Sequence, residues 1–224
     1  MRIVDLTTPI TGNHARWGTD ITRNGDTRAG DLFQVTTVRL SCHAFTHVDA
    51  RRHFFGDGAT IEATPLDTVV GPAKVVDLKD TVANQAIDAD HLAHRMRHVE
   101  SGDRIILATA WHRHRDIADL SYWRDAPYLT RDAAEHLLAR GLQTLCFDFP
   151  QDYTIRQMID GQTPPIEEHV THDTLLRAGV HMVEYLTNTL ALSGRDVFLS
   201  AAPLKIEDAD GAPARVYAIE DFAG

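Results

Sequence analysis

Apolar and polar residues alternate from Arg2 to Thr8, a period-two pattern that predicts a first strand. The run Phe33 to Cys42 is rich in β-branched and aromatic residues and predicts a second. Shorter apolar runs add strands at Ala73 to Leu78, after a turn at Gly71-Pro72, at Arg104 to Ala110 and at Leu142 to Phe149. Val180 to Leu186 is another apolar strand, interrupted by the carboxylate of Glu184. Val197 to Ile206 and Ala214 to Ile219 complete the set, placed on either side of Gly211. Helical spacing appears over 88 to 98, with Asp88 as N-cap, and from Thr130 to Arg140, where Gly141 stops the helix. A third helix is expected over 171 to 178, ending at Gly179. Residues 9 to 31 hold Pro9, Gly12, Gly18, Gly25 and Gly30, and predict a long irregular loop. Residues 151 to 168 predict a polar connection.

Strands and helices are interspersed, so the expected class is α/β or α+β with a mixed sheet. There is no internal repeat, low-complexity tract or linker, and residues 1–224 are expected to form a single domain. No apolar run approaches the roughly 18 residues of a membrane span, and the N-terminus lacks the pattern of a secretory signal. A cytoplasmic protein with no membrane partner is expected. The formal net charge of −10 disfavours nucleic acid as a partner. The two cysteines, Cys42 and Cys146, form no C-x-x-C pair, so neither sulfur-ligated zinc nor a disulfide framework is expected.

The 13 histidines are the unusual feature of composition. Three of them, with one carboxylate, fall between His43 and His53 in the pattern H-x₃-H-x-D-x₃-H. Imidazole nitrogen and carboxylate oxygen are ligands suited to Zn²⁺, Mn²⁺ or Fe²⁺. A divalent ion lowers the pKa of a bound water and polarises a carbonyl, two requirements of amide hydrolysis. His43, His47 and Asp49 are suited to hold such an ion. His53 is then free to carry a proton, because an imidazole titrates near working pH.

One segment rarely completes a metal site. Glu184 is the best partner, since a carboxylate in an apolar strand must be paired or metal-bound to be buried cheaply. His172 lies twelve residues before it. Read alone, these residues also permit a polar loop, an edge-strand glutamate and a helix-surface histidine. Trp17, in the long loop, is either a surface anchor or a wall of a substrate pocket.

The stretch His43-Ala-Phe-Thr-His47-Val-Asp49-Ala-Arg-Arg-His53-Phe54 resembles the signature H-x-G-T-H-x-D-A-P-x-H-F of the cyclase family of metal-dependent hydrolases. That family includes bacterial kynurenine formamidases and isatin hydrolases. The resemblance extends over most of the chain, through Asp5-Leu6-Thr7, Pro65-Leu66, Gly71 to Asp77, His172 to Glu184 and Ala202-Pro-Leu-Lys205. It implies a swivelling β/β/α fold and a homodimer or homotetramer. It implies one ion on His43, His47 and Asp49, a second on Asp49, His172 and Glu184, and His53 as general acid/base. The ions would be Zn²⁺ or Mn²⁺, and a carboxylate at 184 favours two of them over one. Trp17 lies about where kynurenine formamidases place a substrate-stacking tryptophan. The implied activity is hydrolysis of a small amide, formamide or cyclic amide, with metal-bound hydroxide as nucleophile. A lactone hydrolase or cyclase, or an inactive metal-binding homologue, are the alternatives. Two positions depart from the signature. Phe45 replaces a Gly, which permits φ > 0 and close backbone approach. Arg51 replaces a Pro, and with Arg52 is a candidate for recognising an anionic substrate.

Overall fold

A computed structural model describes residues 1–221. The strands are β1 (Arg2–Asp5), β2 (Asp20–Gly25), β3 (Val35–Arg39), β4 (His47–Asp49), β5 (Val70–Asp77), β6 (Ala86–Ile87) and β7 (Arg104–Ala108). After these come β8 (Tyr128–Leu129), β9 (Thr144–Phe147), β10 (His181–Glu184), β11 (Asp196–Ser200), β12 (Gly211–Pro213) and β13 (Tyr217–Glu220). Helices are α1 (Leu66–Val69), α2 (Ala89–Arg95), α3 (Leu120–Arg124), α4 (Arg131–Ala139) and α5 (Thr154–Ile159).

Among the described residues, nine strands form one mixed sheet in the order β1-β13-β11-β5-β7-β9-β10-β4-β12. The central run β5-β7-β9-β10 is parallel and its flanks are antiparallel. Side-chain alternation divides the core between the two faces. Ile105, Leu107, Phe147 and Met182 pack with Leu92 and Leu137 from helices α2 and α4. Ile106, Cys146 and Val183 pack instead with Val48, Val197, Leu199 and Ala218, all from other strands. The second face thus covers itself, which a curled sheet makes possible. Both faces of the parallel centre are buried, which accounts for its unbroken apolar runs.

Helix α2 begins as predicted, with Asp88 accepting the His91 N–H at 2.8 Å. Helix α4 stops at Gly141, which has φ +64°. Five expectations need correction. The loop expected over 9 to 31 contains β2, which pairs with β3 as a hairpin. Every residue of β3 is exposed, so no one-sided burial pattern marks the hairpin in the sequence. Gly71-Pro72 lies inside β5 rather than in a turn before it, with Pro72 opposite Phe198. Gly211, expected to lie between the last two strands, itself begins a strand, β12. The helix expected over 171 to 178 is a single wide turn, His172–Leu176, in which the Arg177 N–H reaches back to the His172 carbonyl at 3.0 Å. The connection over 151 to 168 includes α5. Among the described residues no helix is long and apolar enough to cross a membrane.

The sheet's far edge is tied by Glu220, whose buried carboxylate accepts the backbone N–H of Ser193 at 2.7 Å and of Gly194 at 3.1 Å, and pairs with Arg2 at 2.7 Å. Burial opposes ionisation there, but the Ser193 and Gly194 amides and Arg2 hold the carboxyl below its ordinary range. Glu220→Ala is expected to cost about 1–3 kcal/mol, because it removes hydrogen bonds from two backbone amides to a charged carboxylate. Because the folded-state pKa is depressed, this contribution is present above the unfolded carboxyl pKa and disappears as pH falls through the folded one. Urea unfolding of both proteins at neutral and acid pH measures it. A gap between them that does not shrink in acid would contradict the assignment.

Candidate metal centre

Strand β4 is three residues long, yet it carries two candidate ligands because residues i and i+2 share a face. It lies between β10 and β12, with Glu184 opposite His47 and Gly211 opposite Asp49. Directly opposed residues of an antiparallel pair face the same side. His47, Asp49 and Glu184 therefore converge on the face that Met182 shares, and all three are buried. The wide turn at His172–Leu176 lies over that face and brings in His172. Single turns of this kind occur often at functional sites.

Asp49 is the centre. Its Oδ1 lies 2.9 Å from His43 Nδ1 and 3.1 Å from His47 Nε2, and its Oδ2 lies 3.5 Å from His172 Nε2. The Glu184 carboxylate is 3.8 Å from His47 Nε2 and 3.6 Å from His172 Nε2. The five side chains expected to bind metal are thus brought together, and the edge-strand and helix-surface readings of Glu184 and His172 fail. His53 lies beside them, its ring stacked on His43 at 3.7 Å between centroids and 21° between planes. It is the more open group, with a side chain 25% exposed. Phe54 packs at 4.2 Å against the His172 ring.

Each candidate ligand histidine has an acceptor on the nitrogen turned away from the cluster. His47 Nδ1 donates to the Phe45 carbonyl at 2.9 Å. His172 Nδ1 lies 2.6 Å from Asp152 Oδ2, and His43 Nε2 lies 3.0 Å from Asp210 Oδ2. Such partners fix tautomer and ring orientation in metal sites. Gln151 donates from Nε2 to Glu184 Oε1. These three residues, Gln151, Asp152 and Asp210, were not expected from the sequence. Gln151 and Asp152 follow β9 at the carboxyl end of the parallel strands, where sites of open α/β sheets form, and that position was the available signal. Asp210 had none beyond an Asp-Gly dipeptide that reads as a turn.

The donor set fits a cation. His47 Nε2 and Asp49 Oδ2 are buried and have no hydrogen-bond partner. Orphaned buried polar atoms are costly, and two within one group of imidazoles and carboxylates ask for a positive ion. Without one, protons take its place. Burial pulls the His172 pKa down, but Asp152 and Asp49 push it up to about 10. Burial is likewise overcome at His43, where Asp49 and Asp210 push it up to about 9. Against its own desolvation, Asp49 is held well below its ordinary range by His172, His43 and His47. Burial depresses His53 instead.

The remaining expected site residues make contacts of their own outside the cluster. Trp17 is half-buried, with an unpartnered Nε1, and its backbone N–H is held by His14 Nδ1 at 3.1 Å. The His14 ring in turn meets Phe45 edge-on at 4.8 Å. The Arg51 guanidinium lies 5.4 Å above the Phe55 ring, and Arg52 donates from Nε to the Gly58 carbonyl at 3.0 Å.

Residues 4–151 match the Cyclase family model. The chain belongs to the cyclase family. It is 26% identical to the kynurenine formamidase of Bacillus cereus over 219 residues, covering 95% of this chain and 94% of that protein. A structure described as a predicted metal-dependent hydrolase from Bacillus stearothermophilus is similar at 28% identity and a TM-score of 0.71, with 97% of each chain covered. Isatin hydrolase A from Ralstonia solanacearum shares the fold, with a TM-score of 0.79 at 24% identity over 98% of this chain and 92% of that one. The cyclase-family signature has Gly where this chain has Phe45, and the structure keeps the conformation a Gly would take, with φ +55°. That conformation aims the Phe45 carbonyl at His47 Nδ1. A left-handed non-glycine residue costs about 1–2 kcal/mol. The buried ring offsets it, since Phe→Ala losses run about 3–5 kcal/mol. Phe45→Gly is therefore expected to lower stability overall, read as a fall in the thermal midpoint. A rise would show that backbone strain outweighs the packing.

Proposed function

We propose that this cyclase-family protein is a metal-dependent hydrolase of a small amide, formamide or cyclic amide. The observation that carries the reading is the pair of orphaned buried atoms, His47 Nε2 and Asp49 Oδ2, among three imidazoles and two carboxylates. We assign His43, His47 and Asp49 to one Zn²⁺ or Mn²⁺ ion, and Asp49, His172 and Glu184 to a second. The division of Asp49 supports this, since its Oδ1 faces His43 and His47 while its Oδ2 faces His172. A bound divalent ion supplies a nucleophile at neutral pH and a positive centre for the developing oxyanion.

The chain's own residues do the rest. His53, at the open side of the cluster, gives a proton to the leaving nitrogen. Burial lowers its basicity, so the ring rests neutral, accepts a proton from the attacking water and passes that same proton to the leaving nitrogen. Phe54 and the buried apolar surroundings keep bulk water from the ligands. We place the substrate's aromatic anchor at the Trp17 ring, from which the Arg16 guanidinium, 5.2 Å above it, would have to move, rather than at Arg51 or Arg52, whose guanidinium groups pack on Phe55 and donate to Gly58. Relatives named kynurenine formamidase direct the first assays to N-formylkynurenine, with isatin and simple lactones as comparisons.

His53→Ala is expected to keep its metal and lose about 10²–10⁴-fold in turnover. Undiminished turnover would remove His53 from the mechanism. Glu184→Ala is expected to lose metal, and full occupancy by elemental analysis would contradict its role as a ligand.

We further propose a homodimer or homotetramer. The β2–β3 hairpin supports this, because it leaves Leu32 93% and Phe33 63% exposed beside exposed Ile21, Val35 and Val38. Leu32→Ser with Phe33→Ser should shift the sedimentation coefficient toward the monomer. An unchanged assembly would place the contact elsewhere.

A further inference from the structure

Asp210 stands outside the signature stretch, yet one of its oxygens serves two rings. Its Oδ2 lies 3.0 Å from His43 Nε2 and 3.6 Å from His53 Nδ1. Those two rings are stacked on each other. The residue immediately after it is Gly211, the first of β12, paired opposite Asp49. The Asp210 carbonyl accepts the Ala50 N–H at 3.0 Å, so its backbone is fixed to the segment that carries Asp49. A Cβ at 211 would lie 2.7 Å from His43 Cε1 and 3.0 Å from the Val48 carbonyl. The His43 ring therefore rests against bare backbone at 211 while the side chain of 210 holds its outer nitrogen.

We propose that Asp210, seated by Gly211, is a positioning residue shared by the metal-binding His43 and the proton-carrying His53. This rests on the roles assigned to those two histidines above. A neutral imidazole carries one N–H. With the Nε2–H of His43 donated to Asp210, the Nδ1 lone pair is left facing Asp49, where a cation would be held. The same carboxylate faces Nδ1 of His53 and so leaves Nε2 of that ring for the substrate. The arrangement differs from that at His172. Asp152 is 1% exposed and serves a single ring, whereas the Asp210 side chain is 48% exposed. Asp210 therefore sits at the mouth of the site, where one group can couple ligand geometry to proton delivery.

The test uses the full chain with Asp210→Asn, Asp210→Ala and Gly211→Ala, each first checked for a cooperative unfolding transition. Asp210→Asn is nearly isosteric and removes only the charge. Zinc affinity, measured by competition with a chromogenic chelator, is expected to fall about 10–100-fold in both Asp210 variants. Gly211→Ala should weaken zinc although Asp210 is present, because the new methyl displaces the His43 ring. In excess zinc, on whichever of N-formylkynurenine or isatin the wild type hydrolyses faster, the Asp210 variants should lose kcat at least about tenfold with KM little changed. Wild-type zinc affinity in all three variants would overturn the proposal for His43. Unchanged kcat in excess zinc would overturn it for His53. A wild-type protein that binds neither zinc nor manganese would instead overturn the metal-site reading on which the proposal rests, and the two failures are thus told apart.

Discussion

The carboxylate of Asp49 is the constraint on which the site depends. It is 1% exposed and has three imidazoles within 3.5 Å, so water cannot solvate it and only opposing charge can. A buried carboxylate without such compensation is too costly to keep. Its position on the middle one of three antiparallel strands explains why the compensation is available. β10 brings Glu184 beside it and β12 brings Gly211, while the turn at His172 closes over the top. The sheet order sets the ligand geometry, since opposed residues must face the same side.

The second ring of partners shows the same economy of placement. The acceptors for the outer nitrogens come from a backbone carbonyl at 45 and from carboxylates at 152 and 210. Each belongs to a different segment, so each histidine is braced independently of the others. Phe45 illustrates what such bracing costs. The position adopts a left-handed conformation with a side chain that disfavours it, because the carbonyl must point at His47 and the ring must fill the space beside His14.

Much of this was legible in the sequence, for identifiable reasons. The parallel strands are buried on both faces and show as apolar runs. Glu184 stands out because a carboxylate inside such a run has few affordable explanations, and His43 to His53 stand out by spacing. What escaped is equally specific. β3 shows by its β-branched residues, but its partner β2 is almost wholly exposed and so carries no hydrophobic period. Gly71-Pro72 reads as a turn because nothing local reveals that β7 and β11 flank it. Asp152 and Asp210 follow or precede short strands, where acidic residues are ordinary. Only the topology shows that they lie against histidines at 172 and 43.

The three strands that bear the centre lie at 47–49, 181–184 and 211–213. The signature stretch precedes by far in the chain both strands that flank it in the sheet. Closing contacts over such distances is entropically slow. Until β12 is in place, His43 has neither its backbone rest nor its outer carboxylate. The coordination shell therefore closes only through contacts of long sequence separation, and the signature stretch alone is a motif without its cage.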